Sequence, residues 1–238
     1  MKKLISIIIA ATLFSSFAFA KKYKGDVQLS MGGSAEEMKA KDVDLTGDAG
    51  LINADINAKS GMFEFDVQTW HLFGINDWFS VGFMAGFNTG IGLTTELKLE
   101  NSNVYLENAK VDSDNLAVAA HVNFLLGPAV GFDLGKVVRF NVTAGIDFGI
   151  VNMYSCQKDG DSSKLMSTYS SPVGIGFEGQ AKFLPKAKVS PVVSYRVTSD
   201  FAKTLYFYDQ DEDKHEDYSV DSLNVINNAF TVGISFNW

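Results

Sequence analysis

Residues 229–238 read AFTVGISFNW. Apolar side chains occupy every second position of this stretch, and small or polar residues fill the positions between them. The apolar members are Phe230, Val232, Ile234, Phe236 and Trp238. Alternation with a period of two is typical of a β-strand that has one apolar face. The stretch therefore predicts a last strand in an all-β protein.

The same alternation recurs in seven earlier segments. It is longest between residues 137 and 152, where seven apolar side chains alternate with polar or small ones. The seven segments are 27–31, 63–69, 79–87, 116–124, 138–150, 173–183 and 189–197. The 21 glycines and the 27 Phe and Tyr residues are also typical of an all-β chain with close backbone approaches. Together with the last stretch, these segments predict eight strands.

The predicted connections alternate in length. Three are short and rich in turn-forming residues, at 74–77, around Gly135 and Lys136, and at 185–188. Four are long, at 34–60, 89–114, 155–170 and 199–222. This order predicts an up-and-down meander whose two ends differ. In each predicted hairpin, the apolar residues of both strands have odd numbers or those of both strands have even numbers. Directly paired residues point to the same face, so the turn needs an odd number of residues or a bulge. Gly135 and Lys136 alone therefore cannot form the whole turn.

The two faces of the strands predict where the protein lies. The polar face carries mostly Gly, Ser, Thr, Ala and Asn with a few charges, while the apolar face is large and continuous. A soluble barrel has the opposite arrangement, with a charged face toward water. Closing the sheet satisfies every backbone polar group, as a lipid environment demands. The pattern favours a transmembrane barrel of about eight strands, with a soluble periplasmic barrel as the alternative.

The first 20 residues, MKKLISIIIAATLFSSFAFA, have the features of a secretory signal peptide. Two lysines precede an apolar run, and an Ala-x-Ala site ends at Ala20. We expect cleavage after Ala20 and a single barrel domain over 21–238; a retained N-terminal anchor is the alternative. Cleavage would change the net charge from −8 to −10, which disfavours nucleic-acid binding. Cys156 is the only cysteine, so no disulfide or thiolate metal cluster is predicted. No cofactor is predicted either.

Taken together, the signal peptide, the eight alternating segments, the loop asymmetry and AFTVGISFNW resemble the small eight-stranded outer-membrane barrels of the OmpA-transmembrane, OmpX and OmpW kind. The resemblance implies one closed antiparallel barrel in the outer membrane, with short periplasmic turns and long extracellular loops. It also implies that the barrel-assembly machinery reads Phe236 and Trp238, although Trp replaces the commoner terminal Phe. Trp70, Trp78 and Trp238 are expected at the periplasmic rim, where aromatic girdles lie. The alternative places the tryptophans in the core of a soluble sheet.

The polar faces of the strands carry the candidate lumen charges. These are Glu64, Asp66, His121, Arg139, Asp147, Glu178, Lys182 and Arg196. Charges in a narrow, poorly hydrated space should pair with one another. We interpret the set as a salt-bridged plug that closes the lumen, with a narrow polar pore as the alternative. His121 is assigned a structural, hydrogen-bonding role.

The long connections hold 21 of the 28 Asp and Glu residues. The candidate contact residues for a cation or an external partner are Tyr206, Tyr208, Asp209, Asp211, Asp213 and Asp217. The spacing of Asp209, Asp211 and Asp213 matches the start of an EF-hand. Lys214 stands where that loop needs glycine, and Val220 where it needs glutamate, so no metal site is assigned. A solvated acidic loop is the simplest interpretation, and looser cation binding stays open.

The sequence shows no catalytic constellation. Its three histidines, His71, His121 and His215, have no nucleophile at a telling spacing. We therefore predict a non-enzymatic outer-membrane protein with a structural or surface-interaction role and a largely closed lumen. The alternative function is a narrow channel for small or hydrophobic solutes. The predicted partners are outer-membrane lipid, the barrel-assembly machinery and a host or environmental ligand.

Overall fold

The computed structural model describes the backbone of residues 22–47, 50–100, 117–157, 165–170, 172–209 and 214–238. Side chains are described for residues 23–43, 55–96, 118–150, 172–206 and 220–238. None of the described residues forms a helix that is long and apolar enough to cross a membrane.

Nine strand segments make up the described chain. They are β1 (Lys22–Gly47), β2 (Gly50–Gly74), β3 (Phe79–Glu100), β4 (Ala117–Leu134), β5 (Val138–Gln157), β6 (Leu165–Ser170), β7 (Val173–Phe183), β8 (Val189–Asp209) and β9 (Lys214–Asn237). Both β6 and β7 pair with β5 on one side and β8 on the other. They therefore occupy one position in the sheet, which has eight positions in all.

The sheet closes on itself through antiparallel pairing of β1 with β9. This ladder runs from Asp26 opposite Asn237 to Lys41 opposite Ser222, and it places Val27 opposite Phe236. With β6 and β7 counted as one position, all other neighbouring strands are consecutive in the chain and antiparallel. The expected all-β, up-and-down barrel of eight strand positions is confirmed. Closure leaves the sheet without an edge strand.

Three short turns lie at one end of the barrel, called here the short-turn end; the opposite end is the long-hairpin end. Leu134 pairs with Val138, so the second turn contains the three residues 135–137, an odd number as predicted. Gly135 has a φ of 66°, a left-handed conformation that glycine adopts without steric cost. In the first turn, Asn76 Oδ1 accepts hydrogen bonds from the backbone N–H of Trp78 (3.0 Å) and Phe79 (2.7 Å).

The strands continue far into the segments that the sequence pattern predicts as connections. Strands β1, β2, β8 and β9 form what we call the extension, residues 37–47, 50–62, 202–209 and 214–226. Its inward side chains form an apolar cluster that includes Met38, Ile56, Leu205 and Leu223. The predicted connections 34–60 and 199–222 are thus mostly long hairpins, because a ladder with a buried apolar face is stable beyond the bilayer.

A belt of outward apolar side chains surrounds the rest of the barrel. This apolar band covers residues 27–31, 63–73, 79–93, 118–134, 138–150, 173–183, 189–201 and 230–238. Among the described residues, 32 large apolar side chains are exposed, Phe230, Phe177 and Phe63 each to 55%. A surface of this extent is incompatible with water and fits lipid.

The tryptophans divide between the two faces. Trp78 and Trp238 are exposed near the short-turn end, as expected. The girdle assignment of Trp70 is wrong, because its ring is fully buried inside the barrel. Its Nε1 donates a hydrogen bond to Gln68 Oε1 at 3.2 Å, which satisfies the indole in the lumen.

Candidate functional site

All eight charged residues singled out from the sequence lie on the inward face and are at most 5% exposed. The structure divides them among separate groups. Arg196 contacts Asp66 and Glu178, and His121 contacts Glu64. Arg139 and Lys182 lie near the short-turn end, where they contact Asp133 and Asp26. Asp147 accepts no hydrogen bond from a cationic side chain among the described residues.

Arg196 joins one carboxylate from the adjacent strand β7 and one from β2, across the lumen. Its Nε donates to Glu178 Oε2 at 3.0 Å, and its Nη1 lies 3.1 Å from Asp66 Oδ1. β7 pairs Glu178 directly with Arg196, so the register of the sheet sets this contact. A guanidinium with two carboxylates provides strong, charge-assisted hydrogen bonds in a space that excludes water.

His121 lies between Glu36 and Glu64. Its Nδ1 is 2.9 Å from Glu36 Oε2, and its Nε2 is 3.2 Å from Glu64 Oε2. Both ring nitrogens therefore face acidic oxygens, an arrangement that suits the imidazolium, which donates from both. Gly90 makes this possible, since a Cβ there would lie 2.7 Å from His121 Cε1. Asn88 Nδ2 links the two groups by donating to Glu64 Oε2 and Asp66 Oδ1, each at 2.6 Å.

A second charged group lies at the short-turn end. Asp133 accepts a hydrogen bond from Arg139 Nε at 2.6 Å and one from Lys24 Nζ. Lys182, from the next strand position, forms a buried ion pair with Asp26. Each acid of this group has at least one cationic partner, which offsets part of the cost of burying charge.

Apolar side chains fill the lumen at two levels. One cluster comes from β2, β3 and β4 and consists of Trp70, Leu72, Met84, Leu125 and Ala129. The other is the apolar cluster of the extension, to which Met62 and Ala119 also contribute. The charged groups are therefore packed between or beside dry layers, where their interactions are less screened than in water.

Sequence reasoning missed several members of these groups. Glu36 and Asp200 fall inside predicted connections, while Asp26 precedes the first predicted strand segment and Asn88 follows the third. Each continues the inward positions of its strand, so the period of two would have found them had the strands been drawn longer.

A cavity of about 510 Å³ opens at the short-turn end. Its lining includes Lys24, Asp133, Arg139, Lys186, Lys188 and Trp238. The three side chains of the Asp133 group, Lys24, Asp133 and Arg139, form part of the wall of this cavity.

The predicted loop contacts are described only in part. Tyr206 is half-buried on β8. Tyr208 and Asp209 lie in β8 and Asp217 in β9, but their side chains lie outside the described residues, as do Asp211 and Asp213 entirely. Among the side chains that are described, no group of three or more His, Cys, Asp or Glu residues is placed to hold a metal ion.

The two predicted assembly residues lie on the outer face of β9. Phe236 is 41% and Trp238 58% exposed, within the apolar band. The backbone N–H of Trp238 donates to the carbonyl of Gly25 at 3.1 Å, so the end of β9 is fixed against β1.

No family model and no curated protein matches the sequence. Solved structures of bacterial outer-membrane proteins match the fold. A major outer membrane protein from Thermus thermophilus is 10% identical, with 91% of this chain and 100% of that chain covered and a TM-score of 0.52. The outer membrane protein OprG from Pseudomonas aeruginosa is 10% identical, with 90% and 96% covered and a TM-score of 0.51.

The outer membrane protease OmpT from Escherichia coli is also similar, at 10% identity and a TM-score of 0.48, with 92% of this chain and 97% of that chain covered. At these identities the likeness concerns the fold alone. The chain has the fold of the outer-membrane β-barrel proteins.

Proposed function

We propose that this outer-membrane-type barrel is a non-conducting surface protein, whose transmembrane part is a sealed support for the long hairpins at the opposite end. The burial of the lumen side chains carries the proposal. Glu64, Trp70 and Lys182 are all inaccessible to a water-sized sphere. In an aqueous pore, the polar residues that line the path would contact water.

Paired charges strengthen the seal. Removing one partner of the Lys182–Asp26 or Arg196–Glu178 pair would leave an uncompensated charge in a dry space. The Lys182–Asp26 and Arg196–Asp66 contacts join strands that are not neighbours, so they hold side chains across the lumen and oppose the movements that would open it. An open narrow channel is the competing function, and it would need these side chains to move together.

Planar-bilayer recordings test the seal. We expect no reproducible single-channel steps from the purified protein, with insertion checked by co-flotation with lipid vesicles. Repeated steps of one unit conductance from inserted protein would contradict the closed barrel and favour a channel for small solutes.

The outer end is proposed as the interaction surface. The segments 34–60, 89–114, 155–170 and 199–222 hold 21 of the 28 acidic residues, and the described outward side chains of the extension include Lys39, Lys59 and Asp221. Hydrated, charged hairpins that stand above the bilayer can contact host or environmental molecules. To this proposed surface we assign the contacts expected from the sequence, Tyr206, Tyr208, Asp209, Asp211, Asp213 and Asp217.

Orientation decides whether that surface faces outward. In a Cys156→Ser background, we expect Ser222→Cys, at the long-hairpin end, to react with a membrane-impermeant maleimide on intact cells. Lys186→Cys, in a short turn, serves as the matched control and should react only after the outer membrane is opened. The reverse labelling pattern would contradict the proposed topology.

A non-enzymatic role fits the two histidines whose side chains are described. His121 is buried between carboxylates, and His71 lies on the outer face, where Tyr23 and Thr69 occupy its nitrogens at 2.5 and 2.9 Å. Neither has a Ser, Thr or Cys nucleophile in an accessible cleft among the described residues. A general base needs to reach its substrate in a cleft; burial excludes this for His121, and His71 lies on the apolar outer face.

Export and assembly complete the proposal. We place signal-peptide cleavage after Ala20, which N-terminal sequencing of the mature protein would check. We assign Phe236 and Trp238 as the assembly signal. Trp238→Ala should lower the amount of folded protein in cells while leaving refolding from urea into detergent nearly unchanged; equal loss in both settings would indicate a purely structural role.

A further inference from the structure

Six of the buried carboxyl groups in the lumen fall into three pairs, and a further one, Asp26, is paired with Lys182. His121 lies between Glu36 and Glu64, and Arg196 lies between Asp66 and Glu178. The third pair is formed by Asp147 and Asp200, both fully buried. Two of the three pairs thus have a bridging cationic side chain, and the third pair has none that bonds to it among the described residues.

The sheet register brings the third pair together. Asp147 on β5 pairs with Gly174 on β7, which in turn pairs with Asp200 on β8. Gly174 has no side chain to separate them, and a Cβ added there would contact Asp200 Oδ1. The two carboxyl groups consequently lie beside each other on the inward face, close enough to interact directly.

No cationic side chain in the described part of the chain donates a hydrogen bond to any of the four carboxylate oxygens. Arg196 lies near enough to attract the pair, but its Nε and Nη1 bind Glu178 and Asp66, and its remaining nitrogen bonds to neither Asp147 nor Asp200. Two carboxylates at such close range in a dry space repel strongly unless a cation or a shared proton lies between them.

We propose that a hard divalent cation, of which Ca²⁺ is the natural probe, binds between Asp147 and Asp200 inside the barrel. The charge of the ion matches that of the two carboxylates. The ion compensates the charge of this pair, as His121 and Arg196 compensate the charges of the other two pairs. The site is separate from the acidic outer hairpins and does not depend on what those hairpins bind.

Neutral oxygens complete the ligand set. Asn123 Oδ1 is buried and has no hydrogen-bond partner among the described residues, and Thr198 Oγ1 is buried beside the Asp200 carboxyl group. Thr198 precedes Asp200 by two residues on the same face of β8, and Asn123 is diagonal to Asp147 across the β4–β5 ladder. Since Ca²⁺ accepts carboxylate, amide and water oxygens at 6–8 positions, two acids with neutral ligands suffice.

Metal content after refolding provides the direct test. The full chain is refolded from urea into detergent with either CaCl2 or a chelator, at equal ionic strength and pH 7, and free ion is removed by gel filtration. We expect about one Ca²⁺ per chain at this site. Preparations made with Ca²⁺ should unfold at a temperature higher by several degrees than chelated ones, because the ion binds only the folded state.

Variants locate the ion. Asp147→Asn/Asp200→Asn should lose the bound Ca²⁺ and the calcium-dependent rise in unfolding temperature. Asp221→Asn, on an exposed position of β9, is the matched control and should retain both. Asp209→Asn/Asp211→Asn/Asp213→Asn separates weak binding by the outer hairpin, and it should also keep the tightly bound ion. If the double variant does not fold, Asp200→Asn alone replaces it.

Three results would overturn the inference. One is wild-type protein that retains no Ca²⁺ and unfolds at the same temperature with and without it. Another is Ca²⁺ retention by the Asp147/Asp200 variants equal to that of the wild type. The third is stability that responds to pH but not to any divalent cation, which would show that the pair shares a proton instead.

Discussion

The two ends of β9 have their apolar residues on opposite faces. Near the short-turn end, Phe230, Val232 and Ile234 point outward and are about half exposed, while Thr231 and Ser235 are buried inside. In the extension, Leu223 and Val225 are buried inside, and Asp221 and Ser222 are exposed. One continuous strand is therefore built for lipid at one end and for water at the other.

The difference separates two sources of stability. In the extension, apolar burial drives packing as in any water-soluble core. Within the apolar band, lipid already solvates the outer face, so burial of the inner face depends on hydrogen bonds and ion pairs among polar groups. Equivalent substitutions at the two levels should thus have different effects, and the comparison can be tested on matched positions of the same strand.

The largest effect is expected from Arg196→Met. The change leaves Asp66 and Glu178 buried without their shared cation, which should cost about 3–5 kcal/mol of unfolding free energy. Lys203→Met, on an exposed position of the same strand β8, should change it by no more than about 0.5 kcal/mol. Urea unfolding in phospholipid vesicles, followed by tryptophan fluorescence, gives both values. Similar small losses would mean that the lumen pairs are not structural.

Leu223→Ala should come next. The change creates a cavity in the apolar cluster of the extension and should lower the unfolding free energy by about 2–5 kcal/mol. Faster hydrogen exchange of the extension's amides would measure this loss. Ile234→Ala, outward in the apolar band, removes contacts that lipid can replace, so its amides should keep their protection. Equal loss at both positions would argue against a water-soluble core in the extension.

For a substitution to lysine on the outer face, the apolar band should be more sensitive than the extension. Val232→Lys places a charge within the apolar band and should cost about 2–4 kcal/mol if the position lies near the bilayer midplane. Ser222→Lys, outward on the same strand but in the extension, should be nearly neutral. The ratio of folded to unfolded bands on cold gels after refolding into vesicles measures the contrast. A tolerated Val232→Lys would place the bilayer elsewhere.

The smallest effect concerns an ion pair in water. Lys59 Nζ lies 3.0 Å from Glu96 Oε2 on the outside of the extension, with both side chains at least 32% exposed. Lys59→Ala should change the unfolding free energy by about 0–1 kcal/mol, and salt should weaken even that difference. A loss as large as that of Arg196→Met would contradict the contrast between the wet and dry levels.

The sequence predicts the barrel well because the period of two is strong within the apolar band. All eight strand positions and the odd-numbered turn around Gly135 follow from that alternation. The inward position of the eight charged residues follows from it as well, although their partners do not. A contact such as Arg196 with Asp66 crosses the lumen between strands that are not neighbours, and no local pattern records it.

The ends of the strands could not be predicted from apolar alternation alone. On β1 the apolar residues change from odd positions (Leu29, Met31) to even ones (Met38, Ala40) without any interruption of the ladder before Ala40. The change resembles the end of a strand, yet it marks the passage from lipid to water. Glu36 was missed because it lies beyond Met31, the last exposed apolar residue of β1. Asp200 lies within the apolar band of β8, where the polar Ser199 interrupts the outward apolar residues.

The contact between Gly25 and Trp238 gives the chain a topology that its linear order conceals. Their backbones are hydrogen-bonded at the rim that also holds the three short turns. The first and last strands therefore meet as the flanks of a fourth turn would, and the barrel is in effect a ring cut at one of four comparable places. A circular permutant that joins these two positions through a short linker and opens at Gly135 should build the same wall from a different starting strand.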